Sequence, residues 1–177
     1  REMQMSLQKI ERSVFEQVKT LGRKVEENGA ALWHVKPHGA LYNVAARDRK
    51  VAEAIGRGIA GWSRELLLFG LAGSTMLQVW ADMGFRVVAE AFADRVYESD
   101  GTLRSRTKPD ALITDPERAC QQAIRIIRDQ KVISIDGVEV PVQAQTICVH
   151  SDTPDAVEVI LFLRLKSKEE MIVVQPL

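Results

Sequence analysis

The sequence predicts an α/β fold built on a parallel sheet, and three observations carry that reading. Short segments with the period of a strand alternate along the chain with longer segments of helical period. Leu66 to Leu71 is apolar without interruption, as a strand covered on both faces would be. Three further strand-like segments put apolar residues on one parity: Trp33 and Val35, Val87 and Ala89, Ile147 and Val149. Their other parity carries polar groups, including Lys36, Glu90 and His150. With 177 residues the chain can bury a sizeable core, and residues 1–177 are expected to form a single domain. No solenoid-type repeat is present.

Taken in order, Leu7, Ile10, Val14, Val18, Leu21 and Val25 recur at threes and fours and predict a long helix with one apolar face. Asn28–Gly29 stops it. The run is short for a coiled coil and a strand follows at once, so a helix packed on a sheet is expected. Ala31 to Lys36 reads as the first strand; Pro37 cannot extend its ladder, and Gly39 permits a left-handed backbone. Lys36 and His38 are thereby delivered at a strand end, where α/β folds place chemistry. The plain alternative there is a partly buried histidine with no further role.

Asp48 to Trp62 reads as a second helix with Val51, Ala54, Ile55 and Ile59 inward. Its Gly56, Gly58 and Gly61 either weaken it or admit a close neighbour. Ser74 or Thr75 caps a helix running through Leu77 and Trp80 to Met83, ended by Gly84. Arg86 to Phe92 is the third strand, and its mid-strand Glu90 lies either on a solvated face or in a working cavity. Ala93 to Thr114 is a long polar connection of the kind that is either functional or disordered, though its charges alone would mark only a solvated surface. Asp115–Pro116–Glu117 starts a helix with Ala119, Ala123, Ile126 and Ile127 buried. Val132 to Val140 is a hairpin around Asp136–Gly137, and Gln145 to Val149 the fourth strand. Asp152–Thr153–Pro154 starts a last helix with Val157, Ile160 and Leu161 inward; Met171 to Val174 is a final strand stopped by Pro176.

Composition narrows the function classes. Twenty-four basic and twenty-four acidic side chains cancel, so no net field favours nucleic acid or an anionic membrane. There is no long uncharged apolar run and no signal-peptide pattern, which predicts a soluble, cytoplasmic protein. Cys120 and Cys148 lack metal-type spacing and are expected as reduced thiols. The chain opens on Arg1 rather than Met, as a fragment, a processed product or a chain with missing upstream sequence would.

If the apolar parities face the helices, the polar ones face a common interior or mouth. Lys36, His38, Glu90 and His150 then converge from separate strand ends on one cleft. At these residues the chain resembles a known family. Lys36-Pro37-His38-Gly39-Ala40-Leu41-Tyr42-Asn43 forms the first block, and Glu90-Ala91-Phe92-Ala93-Asp94-Arg95 the second, with Tyr97, Gly101, Leu103 and Arg106 beyond it. Thr146-Ile147-Cys148-Val149-His150 with Asp152-Thr153-Pro154 forms the third. Together they resemble the LamB/YcsF family, the A subunits of prokaryotic 5-oxoprolinase, in order from about Arg1 to Arg164. The resemblance implies a barrel akin to the glycoside hydrolase/deacetylase barrels, and ATP-dependent opening of the lactam of 5-oxoproline (pyroglutamate) to glutamate. It also implies B and C subunits as partners. Family members carry an upstream portion that this chain lacks, so an incomplete TIM-like barrel with open edges is expected, the C-terminal two-thirds of the family's. Where the family usually has His-Gly-Asp, this chain has His150-Ser151-Asp152; if that position needs positive φ, Ser151 strains the turn.

Side-chain chemistry assigns candidate roles. Lactam opening needs an activated water or prior phosphorylation, and stabilisation of the oxyanion. The candidate catalytic set is Lys36, His38, Glu90, Asp94, His150 and Asp152, with the carboxylates as possible bases and the histidines as proton carriers or metal ligands. The candidate substrate-binding set is Tyr42, Asn43, Arg95, Tyr97 and Arg106. Lys36 and Arg95 suit a carboxylate, a phosphoryl group or the oxyanion; the alternative for Arg95 is an ion pair with Glu90 or Asp94. Simple packing is the alternative for both tyrosines. The histidine and aspartate spacing matches no compact metal motif, so no metal ligand is assigned and a metal requirement stays open. No GxxxxGK[ST] loop is present, so ATP is expected to act through the complex. A metal-dependent deacetylase or amidohydrolase and a non-catalytic assembly piece are the competing readings, and self-association stays open.

Overall fold

The structure is a computed structural model that describes residues 5–175, so Arg1–Glu2–Met3 and Pro176 lie outside the described residues. Contacts divide the chain into two compact units, Arg1–Ala89 and Glu90–Leu177.

In the first unit, α1 (Leu7–Glu27) starts at Ser6, whose Oγ accepts the Lys9 N–H at 3.3 Å. It buries Ile10, Val14 and Val18, and ends at Asn28 with Gly29 left-handed, as the spacing predicts. β1 (His34–Val35) is shorter than the predicted strand. Trp33, expected on its buried parity, is 56% exposed and lies beneath the Arg86 guanidinium, although its carbonyl accepts the Leu67 N–H at 3.1 Å. α2 (Gly39–Ala45) follows directly; at seven residues it is too short to show a helical period. α3 (Arg49–Ala60) is capped by the Asp48 carboxylate and buries Val51, Ala54, Ile55 and Ile59. β2 (Leu67–Leu71) is covered along almost its whole length. α4 (Thr75–Asp82) begins at Ser74, though the Ser74 side chain makes no capping bond. Trp80 on α4 is fully buried and donates its indole N–H to the Ala52 carbonyl at 2.9 Å, tying α4 to α3.

The glycines of α3 are there for contact. A Cβ on Gly58 would sit 2.5 Å from the Glu11 carbonyl oxygen of α1, and one on Gly56 would sit 2.7 Å from Met83 Sδ. Helices α1 and α3 therefore pack backbone against backbone. The exposed Arg57–Glu11 ion pair adds little to that contact.

β3 (Val87–Phe92) contains the divide between the units. In the first unit β1 and β2 run parallel, with His34 opposite Leu67 and Val35 opposite Leu68, and Leu68 N–H donates to the Arg86 carbonyl ahead of β3. In the second unit Glu90, Ala91 and Phe92 pair in parallel with Thr146, Ile147 and Cys148 of β6 (Thr146–Cys148). The strand order is β1-β2-β3-β6. The α/β class and the parallel sheet are thus as the sequence predicts.

Within the second unit, α5 (Pro116–Asp129) starts at Asp115, whose carboxylate accepts the Arg118 N–H at 2.7 Å, and buries Ala119, Ala123 and Ile126. β4 (Lys131–Ile133) and β5 (Glu139–Pro141) form the expected hairpin, with Gly137 left-handed at its turn. α6 (Ala156–Glu169) packs on α5. Its start and its face both differ from expectation. The cap is Asp155, and the residues turned inward are Val159, Leu163 and Ser167. Val157, Ile160 and Leu161 are 71%, 47% and 55% exposed. The helix is apolar nearly all round through Phe162, so its period does not select a face; contact with α5 does. Ile147 and Val149 pack on the same core as Val159, as their parity predicts. Residues 171–174 form no strand. Met171 is left-handed, and Ile172 N–H returns to the Ser167 carbonyl at 2.8 Å, closing the helix end instead.

Gly58→Ala is expected to cost ~1–3 kcal/mol by forcing α1 and α3 apart, read as a lower unfolding midpoint in thermal or denaturant melts. An unchanged midpoint would show that the helices do not need this approach.

Candidate active site

The register of two strands assembles the site. Phe92 of β3 lies opposite Cys148 of β6, and two residues further along each parallel strand stand Asp94 and His150. Both therefore leave the C-terminal strand ends side by side. Asp94 is fully buried. Its Oδ2 accepts the His150 backbone N–H at 2.9 Å and the Thr153 hydroxyl at 2.5 Å, and both its oxygens lie 3.0 Å from His150 Nδ1. Burial alone would raise its pKa, but these donors outweigh burial and hold it below the ordinary carboxylate value. An ionised carboxylate only accepts, so Nδ1 carries an imidazole proton, and in the neutral ring the lone pair is then on Nε2. Phe92 stacks on the ring at 5.2 Å and 13°, fixing its plane. A histidine so held has the form of a general base.

Two residues outside the predicted set build this geometry. Thr153 lies in the segment read as a helix start; because the helix begins only at Ala156, its hydroxyl is free to turn onto Asp94. Gln122 shares the buried side of α5 with Ala119 and Ala123. Its amide donates to the carbonyls of Phe92, Ala93 and Arg95 at 2.9, 3.1 and 2.9 Å, clamping the strand end. The Asp-Thr-Pro motif is a signal for the first; an isolated glutamine on a helix offers none for the second.

The long connection is ordered by its own polar groups. Tyr97 is wholly buried, and its hydroxyl accepts the Phe92 N–H at 2.9 Å, so it braces the strand end, while burial raises its pKa. Arg95 is buried too. Its Nε and Nη2 donate to the carbonyls of Ala111 and Arg104 at 3.4 and 2.6 Å, and it forms no ion pair with Glu90 or Asp94 among the described residues. Burial first, then the neighbouring Arg106 charge, hold the Arg95 pKa below its usual value. Arg104 is gripped by Asp110 at 2.7 and 2.9 Å and by Glu98 at 2.9 Å. Arg106 Nη1 donates to Asp152 Oδ2 at 2.9 Å, and that bond holds the Asp152 pKa low, which suits Asp152 poorly to a base's role. Glu90 is buried rather than solvated.

Lys36, His38, Tyr42 and Asn43 belong to the first unit. Lys36 Nζ lies 5.9 Å from the centre of the buried Tyr42 ring, and Asn43 follows Tyr42 on α2, half-buried. His38 is exposed at the start of α2, and its side chain makes no capping bond. Ser151 does not adopt positive φ, so the turn after His150 carries no strain for want of a glycine. Among the described residues, no three His, Cys, Asp or Glu side chains gather to hold a metal ion, and no helix is long and apolar enough to cross a membrane. Cys120 and Cys148 are free thiols.

The family model described as LamB/YcsF matches residues 1–177. The 5-oxoprolinase A subunit of Chloroflexus aggregans is 54% identical over 156 residues, which are 88% of this chain and 62% of that protein. The 5-oxoprolinase A subunit of Clostridium beijerinckii is 43% identical over 177 residues, 100% of this chain and 69% of that protein. The chain thus spans about three-fifths of the length of the Chloroflexus relative. Among solved structures, the lactam utilization protein from Thermus thermophilus is similar with a TM-score of 0.88 and 38% identity, over 100% of this chain and 70% of that one. That likeness is consistent with a TIM-like barrel.

Asp94 ties stability to acid pH. Its folded-state pKa lies below the ordinary 3.8, so its charge stabilises the fold above that value, and the gain is lost as pH falls through the lower, folded pKa. The unfolding midpoint of the unaltered chain should therefore fall more steeply than that of Asp94→Asn below about pH 4. Parallel curves would show that the carboxylate is not held ionised.

Proposed function

Because the chain belongs to the LamB/YcsF family, we propose that it works as part of a 5-oxoprolinase A subunit, opening the lactam of 5-oxoproline to glutamate. The observation that carries this reading is the Asp94–His150 pair at the ends of β3 and β6, with Nδ1 of the histidine held by a buried carboxylate. The names of the relatives and of the solved neighbour, 5-oxoprolinase A subunits and a lactam utilization protein, support the same substrate class.

The chemistry asked of the residues is limited. A water oxygen attacks the lactam carbonyl carbon while His150 Nε2 takes its proton. The carbonyl oxygen becomes an oxyanion, which the cationic residues around the site favour. As the ring C–N bond breaks, the imidazolium returns the proton to the departing nitrogen, leaving an open-chain amine and a new carboxylate. Asp94 keeps the imidazole oriented and stabilises its charged form. Thr153 and Gln122 are positioning residues for Asp94 and for its strand end. A lactam carbonyl is a poor electrophile, and ATP consumed through B and C subunits would supply its activation. Buried Glu90 is a further proposed contributor to the same chemistry. Two free thiols fit a reducing, cytoplasmic setting.

In the assembled complex with B and C subunits and ATP, His150→Ala should lower glutamate release from 5-oxoproline by ~10²–10⁴-fold. Thr153→Val, which removes one of the donors to Asp94, should lower it less and move the acid limb of the pH–rate profile. Turnover by His150→Ala close to that of the unaltered complex would overturn the assignment.

A further inference from the structure

We propose that Arg106 is the receptor for the substrate's carboxylate, and that Asp152 occupies this receptor in the unliganded protein, so that binding exchanges one carboxylate for another. The inference rests on the reading of the Asp94–His150 site given above and adds what selects its substrate: an anionic lactam over a neutral one.

Position comes first. Asp152 stands two residues after His150, and Arg106 reaches the same turn from the connection after β3. The Asp152 carboxylate thus marks a place beside the candidate base that an arginine already recognises as anionic. The pair is also built to be undone. Its side chains are 42% and 67% exposed, and exposed pairs hold little net free energy. Only Nη1 of Arg106 engages Asp152, although a guanidinium offers a two-pronged fork to a carboxylate. A ligand carboxylate free to choose its orientation can take both prongs, which Asp152, fixed to its own turn, does not.

A second observation points the same way. Arg95 lies buried with two of its N–H groups on backbone carbonyls and no ion-pair partner among the described residues. The one fully buried carboxylate nearby, Asp94, is committed to His150 and Thr153. A buried cation without its own counter-ion leaves positive potential behind it. The Arg106 charge disfavours that of Arg95, while Asp94 and Asp152 favour it. An incoming carboxylate takes over the negative charge that Asp152 supplies there, and the displacement of Asp152 costs only an exposed pair.

Calorimetric titration of the 177-residue chain tests this without any turnover. The three probes are 5-oxoproline, the neutral lactam 2-pyrrolidinone, and cyclopentanecarboxylate, an anion with no lactam. The unaltered chain should bind 5-oxoproline at least ~10-fold tighter than 2-pyrrolidinone. Arg106→Gln should remove most of that preference, while Asp152→Asn should tighten 5-oxoproline ~2–5-fold and leave 2-pyrrolidinone unchanged. A preference that survives Arg106→Gln, weaker 5-oxoproline binding in Asp152→Asn, or no binding of any probe would overturn the proposal. Arg106-dependent binding of cyclopentanecarboxylate as tight as that of 5-oxoproline would uphold the carboxylate receptor while removing support for lactam chemistry. Binding of 5-oxoproline that is indifferent to Arg106 would do the reverse.

Discussion

A carboxylate shut away from water must be met by donors from the protein, and much of the second unit is arranged to bring them to Asp94. Parallel pairing of β3 with β6 sets His150 beside it. The late start of α6 releases Thr153 to reach it. Gln122 holds three carbonyls around it, and Tyr97 takes the N–H of the residue two before it. Remove the ionised group and these contacts lose their common purpose, since an unmet buried acceptor or a misdirected donor costs more than the bond it replaces contributes. The imidazole is then oriented as a consequence of satisfying Asp94.

Asp94 and Asp152 show how surroundings divide work between like groups. The first is buried and held by three donors; the second is exposed and held by a single bond from one side chain. The buried carboxylate can orient a base, whereas the exposed one can yield its place. Neither property follows from residue type. Both follow from which side of the strand end the chain delivers each residue to.

The long helices, the parity of Ile147 and Val149 and the strand-end placement of Asp94 and His150 are legible in the sequence because each is a periodic or local property. Val14 and Val18 mark a face whatever α1 packs on, and Phe92, Asp94, Cys148 and His150 follow from counting along strands. What the sequence does not show is decided by contact. The inward face of α6 depends on α5, since Val157, Ile160 and Leu161 are as apolar as Val159. Trp33 has the pattern of a core residue, yet its ring is exposed beneath the Arg86 guanidinium. For Arg95 the neighbouring acids suggest an ion pair, yet its partners are two carbonyls, and no side-chain pattern reports a carbonyl. Gly56 and Gly58 admit two readings until the approach of Met83 and Glu11 selects one.

The connection between β3 and α5 has a consequence for how the molecule meets a protease. Flexible tips are where chains are usually nicked, but this segment is laced by backbone bonds, among them Val96 to Ala111, Arg104 to Val96 and Ile113 to Asp94. Of the basic residues that trypsin could use there, Arg95 is buried, Arg104 is pinned by two acids, and Lys108 precedes a proline. Arg106 is exposed and tethered through Asp152. The rate at which its peptide bond is cut therefore becomes a report on what its side chain is holding, so that a gel lane can register occupancy of the site.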